Sequence, residues 1–547
     1  FYFYKTGVIK GTLRENKLLE NTLVTKRCRG WHGVIVVSVI MGPGTFSCTE
    51  RCSFCPTYPG LAKSYVPEEP TVERGKRNKF SGFLQTRERL ERLFLNGHSL
   101  DKLEIIILGG TFSHYPRKYA EEFIRDIYWA ANTIFDKTIR DPLSLQEERL
   151  INESTWCKII GVTLETRPDY ISRHEIRRFR SYGATRLQLG VQSTNDGVLD
   201  LNNRNCTTKQ SKEAIQELLD SGFKVDIHIM PDLPGSTREI DKKTMEDVLY
   251  DGDIYADQYK IYPTMITDFT DIKKWRDEGK YNPMYEDDPE SLIRLGIFFK
   301  TRIQRSKRIN RFVRDFSNNV IIGGTSTTNM RQVIMHRMKE NGQKCKCIRC
   351  REVNDKIQES DVVRFRKLEQ VASGEREIFL SYETCSCKFC YSYWKHMFFS
   401  IFYYLFYFIS IFLFMPALSN NIYEKTYWNG CGEEEKLYGF LRLRLSKFAG
   451  ISKKNNRIII PELVGCALLR ELHVYGKVVA TYNKKNNNRV QHSGFGTRLV
   501  NDAINIARLN GYKKIAVISG DGVRNYYRTK FGFNDEGEHG YLILNIT

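Results

Sequence analysis

Ser47-Cys48-Thr49-Glu50-Arg51-Cys52-Ser53-Phe54-Cys55-Pro56 stands just after the apolar run 33–40 and sets three thiols at the spacing Cys-x3-Cys-x2-Cys. Three thiolates so spaced can hold three irons of a four-iron cluster and leave the fourth open. A closed zinc site would want a fourth ligand nearby, and this decapeptide offers none. An open iron can bind and reduce S-adenosylmethionine (SAM), so the motif points to radical chemistry. Zinc, or cysteines that merely pack in a core, are the alternatives that the motif by itself leaves standing.

Outward from this loop, residues 33–320 repeat one theme, an apolar strand-like run followed by a charged segment of helical period. The runs are 34–40, 103–108, 159–164, 187–191, 225–229 and 259–262. Runs with little polar alternation read as strands buried on both faces, and interleaved helices make parallel neighbours the default. The expected architecture is therefore a barrel or part-barrel of βα units. Chemistry in such barrels sits at the carboxyl ends of the strands. The cysteine loop, Gly109-Gly110-Thr111, Glu165-Thr166-Arg167-Pro168, Gln192-Ser193 and Pro231-Asp232-Leu233-Pro234-Gly235 each follow a run closely, which strengthens the cluster reading.

With 547 residues the chain has room for two or three domains, each with a proper core. Nine of its fourteen cysteines gather in triplets and no amino-terminal signal peptide is visible, so a reducing compartment is expected: the cytoplasm, or cytoplasm and nucleus. Eighty-four Lys and Arg against sixty-four Asp and Glu give a net charge of +20, which favours a polyanionic partner such as nucleic acid; a solvated basic surface is the plainer reading. The chain opens on Phe1-Tyr-Phe-Tyr4 without Met, which leaves the completeness of its N-terminus open.

A second thiol group, Cys345-x-Cys347-x2-Cys350, has the spacing of a structural zinc site that lacks its fourth ligand. The spacing recurs at Cys385, Cys387 and Cys390. Farther on, 438–445 and 467–475 read as strands, and Gln491-His-Ser-Gly494-Phe495-Gly496-Thr497 leads into an amphipathic helix through Ala507. A glycine turn feeding a helix N-terminus presents backbone N–H groups and the positive end of the helix dipole, which suits a pyrophosphate. The strand 515–519 and then Arg524-Asn525-Tyr526-Tyr527-Arg528 follow at the distances used by acetyl-CoA-binding acetyltransferases.

Residues 397–418 carry no charge over twenty-two positions, long enough to span a bilayer. Seven Phe and three Tyr crowd this stretch, and Lys395 and Lys425 flank it without inside–outside bias. A span here would also put domains that share a substrate on opposite sides of a membrane. Membrane association through 397–418 is therefore disfavoured against an apolar insertion or mistranslated sequence.

Assembled in order, these segments resemble the catalytic subunit of the Elongator complex, a family that joins a radical SAM domain to a GNAT-type acetyltransferase domain. Among those that match are Phe83-Leu-Gln-Thr-Arg-Glu-Arg89, Gly97-His-Ser-Leu-Asp-Lys102, Glu165-Thr-Arg-Pro-Asp-Tyr170, Lys260-Ile-Tyr-Pro-Thr264, Phe379-Leu-Ser-Tyr-Glu383 and Arg470-Glu-Leu-His-Val-Tyr-Gly476. The resemblance runs from about residue 26 through both domains. It implies an α/β protein, a radical SAM partial (β/α) barrel followed by a GNAT-type α/β domain. The implied boundaries are a basic segment 1–32, the radical SAM domain 33–340, a cysteine-containing zinc linker 341–378 and the GNAT domain 379–547, interrupted by the apolar insertion at about 384–433.

The implied activity is carboxymethylation of the wobble uridine of transfer RNA, with acetyl-CoA and SAM consumed, alongside other Elongator subunits. In that scheme a deoxyadenosyl radical takes hydrogen from the acetyl methyl group, the carbon radical adds to the base, and thioester hydrolysis frees CoA. By family match Cys48, Cys52 and Cys55 hold the four-iron four-sulfur cluster, and Gly109, Gly110, Thr111, Glu165, Gln192 and Lys260 surround SAM. Lys102 contacts acetyl-CoA from the barrel side, and Glu471, Leu472, His473, Val474, Phe495, Gly496, Thr497 and Tyr527 hold it in the GNAT domain. Lys102, Glu165 and Tyr527 are the implied catalytic residues, and Cys345, Cys347 and Cys350 the zinc ligands. Tyr526 is expected nearer to core packing than Tyr527, and His473 is not read as a general base.

Two departures from the family pattern stand out. Gln188 replaces a usual Glu, which removes a carboxylate beside the SAM site, and Asn203-Arg-Asn-Cys206 replaces Asn-Arg-Gly-His. Competing readings are a protein lysine acetyltransferase with a structural cluster, and a transfer RNA-binding subunit without turnover. The Lys and Arg of 72–92 and 302–314 are the expected phosphate contacts.

Overall fold

All six expected runs become strands of one sheet: β1 Ile35–Ile40, β2 Lys102–Leu108, β3 Lys158–Thr166, β4 Ala184–Gln192, β5 Lys224–Ile229 and β6 Gln258–Ile261. A seventh, β7 Arg308–Phe312, joins them, and the strands lie in chain order with every neighbour parallel. The computed structural model describes residues 32–353 except 45–47 and 315, then 363–384, 435–476 and 494–546, with a few residues before 32. Right-handed crossover helices cover the outer face of the sheet. On β2 the two rows separate cleanly: Leu103, Ile105 and Ile107 are buried in the core, while Lys102, Glu104 and Ile106 line a cavity inside the curved sheet.

The second sheet consists of β8 Val363–Ala372, β9 Glu375–Thr384, β10 Leu437–Leu445, β11 Cys466–Val474, β12 Lys514–Val517, β13 Asn534–Glu536 and β14 Tyr541–Asn545. Its order is β8-β9-β10-β11-β12-β14-β13, antiparallel except between β11 and β12. It begins at Val363, so the expected boundary at residue 379 falls inside the domain. β8 escaped the sequence reading because half of its residues are charged or amide-bearing, as befits an edge strand. The insertion 385–434, with its three cysteines and the stretch 397–418, lies outside the described residues. Among the described residues no helix is long and apolar enough to cross a membrane.

β10 reads Leu441-Arg-Leu-Arg-Leu445, the alternation of a strand with one wet face. Leu441, Leu443 and Leu445 do pack under the helix Phe495–Leu509. The arginine face is not wet. Arg442, Arg444 and, from β11, Arg470 are each at most 1% exposed, because that face docks on the amino-terminal ends of the barrel strands. Arg470 bonds Asp257 at 2.5 Å and the Phe223 carbonyl at 2.6 Å, just before β6 and β5, and also meets Glu377. Arg444 bonds Asp220 at 2.6 Å, and Arg442 bonds Glu471 at 2.8 Å with Asp257 at 3.4 Å. Burial would raise the Asp257 carboxyl, but Arg470, Arg442 and Lys307 outweigh it and hold it well below its ordinary range.

The loop 519–523 makes a second contact against the start of β3. A Cβ on Gly520 would sit 2.2 Å from the Ile160 carbonyl carbon, so only glycine permits this approach. Asp521 beside it is clasped by Arg149, at 2.9 Å through each of two nitrogens, and by Tyr128 at 2.7 Å.

Asp257→Ala removes the carboxylate that Arg442 and Arg470 share and leaves each with one remaining counter-charge, Glu471 and Glu377, at the interface. It is expected to destabilise the chain by about 3–5 kcal/mol, read from the urea midpoint. Lys273→Ala, which removes an exposed pair with Asp277, should cost less than about 1 kcal/mol. Equal effects would show that the buried layer is not the main tie.

Candidate functional site

A single cavity of about 1380 Å³ runs lengthwise through the barrel, from the cysteine loop at the carboxyl ends of the strands to the glycine turn of the second domain at their amino ends. The strands β1 to β5, of six to nine residues, separate these ends by roughly 20–30 Å, at about 3.3 Å per residue.

At the carboxyl end, Cys48, Cys52 and Cys55 all line the cavity. Tetrahedral zinc, with Zn–S near 2.3 Å, would hold sulfurs about 3.8 Å apart. Among the described residues the one set of three ligand atoms lying within 4.8 Å of one another is Cys345, Cys347 and Cys350. The barrel thiols are therefore too spread for one ion and suit a cluster, whereas the linker thiols suit one ion. The Cys52 thiol is held well below its ordinary value by a Cys55 hydrogen bond and, against burial, by Arg204 and Arg167.

The residues expected around SAM converge here. Gly109 and Gly110 have φ of 148° and 79°, and a Cβ on Gly109 would lie 2.7 Å from the Tyr115 hydroxyl. Thr111 is buried beside them. Glu165 accepts a hydrogen bond from Tyr65, a residue that nothing in the sequence marked, and faces His228 at 3.7 Å. Gln192 sits at φ 74° with its side-chain oxygen buried and unbonded, a vacant acceptor at the strand end. Lys260 donates to Gln188 at 2.6 Å, and Gln188 in turn donates to Asp226 at 3.3 Å. Burial lowers Lys260 to about 8, although Glu165 and Asp226 oppose the shift.

At the amino end, pairing of β11 with β12 covers only residues 466–469, after which the strands diverge and Leu472, His473 and Val474 line the cavity. The divergence follows a bulge that places Arg470 between two registers of β10. Gly494 takes φ 87° at the start of the helix Phe495–Leu509 and among the described residues no side chain caps it, which suits the first N–H groups to a ligand. Residues 491–493 of the expected turn lie outside the described residues.

Glu471 and His473 are both engaged by neighbours. Burial would raise Glu471, but Lys224, Arg442 and Arg186 hold it at about 2, and His473 Nε2 lies 2.8 Å from the His32 carbonyl. Lys102 is no surface lysine: it lines the cavity, and burial lowers it.

Both Tyr526 and Tyr527 line the cavity. Tyr527 is 5% exposed and packs among Phe531 and Phe533 in the apolar core. Tyr526, turned by one helical step, places its hydroxyl at Thr497 and 3.2 Å from where a Cβ on Gly496 would stand. The assignment of 302–314 to RNA phosphates also fails for several residues. Arg305 pairs with Glu383 and Glu435, Arg308 with Glu352, and Arg314 with Glu69, while Lys307 is buried over the Tyr255 ring. In 72–92, Arg74 is buried on the Ser38 carbonyl, while Lys76, Arg77, Lys79 and Arg92 are exposed.

Comparison with known proteins agrees with this geometry. Residues 43–248 match the Radical SAM superfamily and 256–340 the Radical_SAM C-terminal domain. The chain is 32% identical to the tRNA uridine(34) acetyltransferase of Methanocaldococcus jannaschii over 541 residues, 96% of this chain and 88% of that one. It is 32% identical to Elongator complex protein 3 of Homo sapiens over 543 residues, 96% and 87% of the two chains. The solved structure of archaeal Methanocaldococcus infernus Elp3, lacking residues 1–46, superposes with a TM-score of 0.69 at 29% identity, covering 94% of this chain and 99% of that one.

SAM binding by the cluster-loaded protein is expected to weaken as pH rises through about 8, where Lys260 loses its proton. Gln188→Glu puts a carboxylate on Lys260 and should move that midpoint up by about one to three units. Anaerobic equilibrium dialysis across pH reads both. A profile flat from neutral to alkaline pH would remove Lys260 from the site.

Proposed function

Since this chain belongs to the family of the tRNA uridine(34) acetyltransferases and Elongator complex protein 3, and is an enzyme of the radical SAM type, we propose that it carboxymethylates the wobble uridine of transfer RNA from acetyl-CoA. The observation that carries this reading is the single cavity joining the thiol loop to the glycine turn. Reagents held at opposite ends of a barrel can react only if its interior is open.

In this reading Cys48, Cys52 and Cys55 hold a four-iron four-sulfur cluster. That cluster, with SAM bound, supplies a one-electron reductive cleavage yielding a carbon-centred oxidant. The chain's own groups fix the reactants. The bend at Gly109 and Gly110 gives SAM close backbone approach, Glu165 and Gln192 offer acceptors, and Lys260 offers a cation.

At the other end the open N–H groups of 494–497 take the CoA pyrophosphate, and the free edge of β11 takes the arm that carries the acetyl group. Lys102 is set where that arm enters the barrel, and Tyr526, held by Thr497, joins Tyr527 beside the thioester. Walls closed by both domains exclude water from the radical step.

Cys345, Cys347 and Cys350 hold one zinc in a segment that touches both domains: Ile348 N–H donates to the Lys307 carbonyl at 2.8 Å and Val353 N–H to Leu437 at 3.0 Å. Other Elongator subunits are the proposed partners. A lysine acetyltransferase would need a free base near the acetyl group, and both Glu471 and His473 are engaged.

The test is an anaerobic reaction of reconstituted protein with SAM, reductant, acetyl-CoA and transfer RNA, with deoxyadenosine and carboxymethyluridine read by mass spectrometry. Cys52→Ala should abolish both products. Gly496→Val, which crowds Tyr526 and the helix N-terminus, should keep iron and SAM binding but abolish carboxymethyluridine. Carboxymethyluridine formed by either variant would overturn the assignment.

A further inference from the structure

Two arginines from different loops meet at one thiol. Arg167, just after β3, brings Nη1 to 3.5 Å from Cys52 Sγ, and Arg204, after the short helix Asp196–Leu201, brings its Nη1 to 3.6 Å. Both are buried, 3% and 4% exposed. Each is held from behind. Arg167 spans Asp169 at 3.0 and 2.9 Å and also donates to the Arg204 carbonyl at 2.7 Å, while Arg204 donates to the Gly190 carbonyl.

Their charge balance differs. Arg167 has Asp169, with Glu50 at 4.0 Å. Among the described residues Arg204 makes no ion pair, and its Nε is buried without a hydrogen-bond partner. A buried cation is retained only where a counter-charge repays its desolvation. Among the described residues the fold brings the Cys52 sulfur to 3.6 Å from Arg204, with the Glu50 carboxylate also within reach of its charge, and an iron–sulfur cluster bound at that sulfur adds negative charge there.

We propose that Arg204 is the counter-ion of the cluster and, together with Arg167, donates hydrogen bonds to the sulfur of its Cys52 ligand, so that this pair raises the cluster's reduction potential. The inference rests on the radical SAM reading and adds a role for these residues. Reduction brings one electron from an external low-potential donor into the cluster and makes it more negative. Cationic donors at a ligand sulfur favour that form. Both residues act through the cluster and are positioning residues, not catalytic ones. Asn205 contributes indirectly: at φ 49° it turns the loop so that its amide bonds Glu50 at 3.0 Å, which leaves Arg204 directed at the thiol.

The test is a redox titration of the anaerobically reconstituted protein, followed by electron paramagnetic resonance of the reduced cluster, with iron and sulfide assayed alongside. Arg204→Gln is expected to retain iron and to lower the reduction equilibrium about tenfold, near 59 mV for one electron. Arg204→Lys should fall between it and the parent. Arg337→Gln, a change at an exposed pair with Glu290, should leave the midpoint where it was. An unchanged midpoint in Arg204→Gln at full iron content would overturn the proposal. If Arg204→Gln cannot hold iron, Arg204→Lys must restore it, and its failure to do so would overturn the proposal as well. The readout needs neither RNA nor acetyl-CoA, so it is decided separately from the uridine reaction.

Discussion

Arg442, Arg444 and Arg470 face Asp220, Asp257, Glu377 and Glu471 across a layer closed to water, and the location of both ends of the cavity follows from that layer. Buried ion pairs often contribute little net stability, since desolvation offsets the Coulomb gain. What they contribute here is placement. Each carboxylate satisfies one or two guanidinium groups, and Arg470 also takes the Phe223 carbonyl. A shift of the second sheet by one residue would leave several charges unpaired in the interior. The layer thus admits one docking register, at the amino-terminal ends of the barrel strands.

That register explains why the barrel is hollow and polar. Closed barrels of eight strands fill their interior with layers of apolar side chains. Here seven strands leave the sheet open, and the inward rows carry Glu104, Arg186, Gln188 and Lys260. Such a lining is costly unless its members pair with one another or with a ligand. Some of them do pair: Arg186 meets Glu104 at 2.8 Å, and Lys260, Gln188 and Asp226 form a chain. Other buried atoms lack a hydrogen-bond partner at both ends of the cavity, Gln192 Oε1, His228 Nε2 and Arg204 Nε toward the thiols and Thr185 Oγ1 and Arg442 Nη1 toward the second domain.

The barrel is legible in the sequence because its strands are largely buried and their apolar runs are broken only at inward positions such as Glu104, Gln188, His228 and Lys260. The sequence hid β7, Arg308–Phe312, whose Arg-Ile-Asn-Arg-Phe has polar positions turned into the cavity and toward the linker. The same chemistry made 302–314 look like an RNA-binding surface, since a sequence does not reveal which guanidinium already has a carboxylate. The thiol loop and the glycine turn were legible as local motifs. Their facing each other through the barrel was not, because β10 and β11 alternate as though one face were wet, and only the docked structure supplies Asp220 and Asp257 to their arginines.

The two departures at the SAM end take on a definite meaning in this frame. Gln188 lies mid-strand, between Lys260 and Asp226, and is 1% exposed. Glutamine there accepts from Lys260 as a carboxylate would, and its amide also donates to Asp226, a bond that a carboxylate could not make, so the geometry is held. What changes is the charge: Lys260 retains Glu165 and Asp226 as its acidic neighbours but loses the nearest one, and burial then brings it to about 8. Asn205 likewise occupies a left-handed position that glycine would take without strain, and asparagine is among the few other residues that accept it readily. Both substitutions therefore preserve the frame and alter its protonation and loop energetics. That pattern fits a working site with shifted pH dependence rather than a collapsed one.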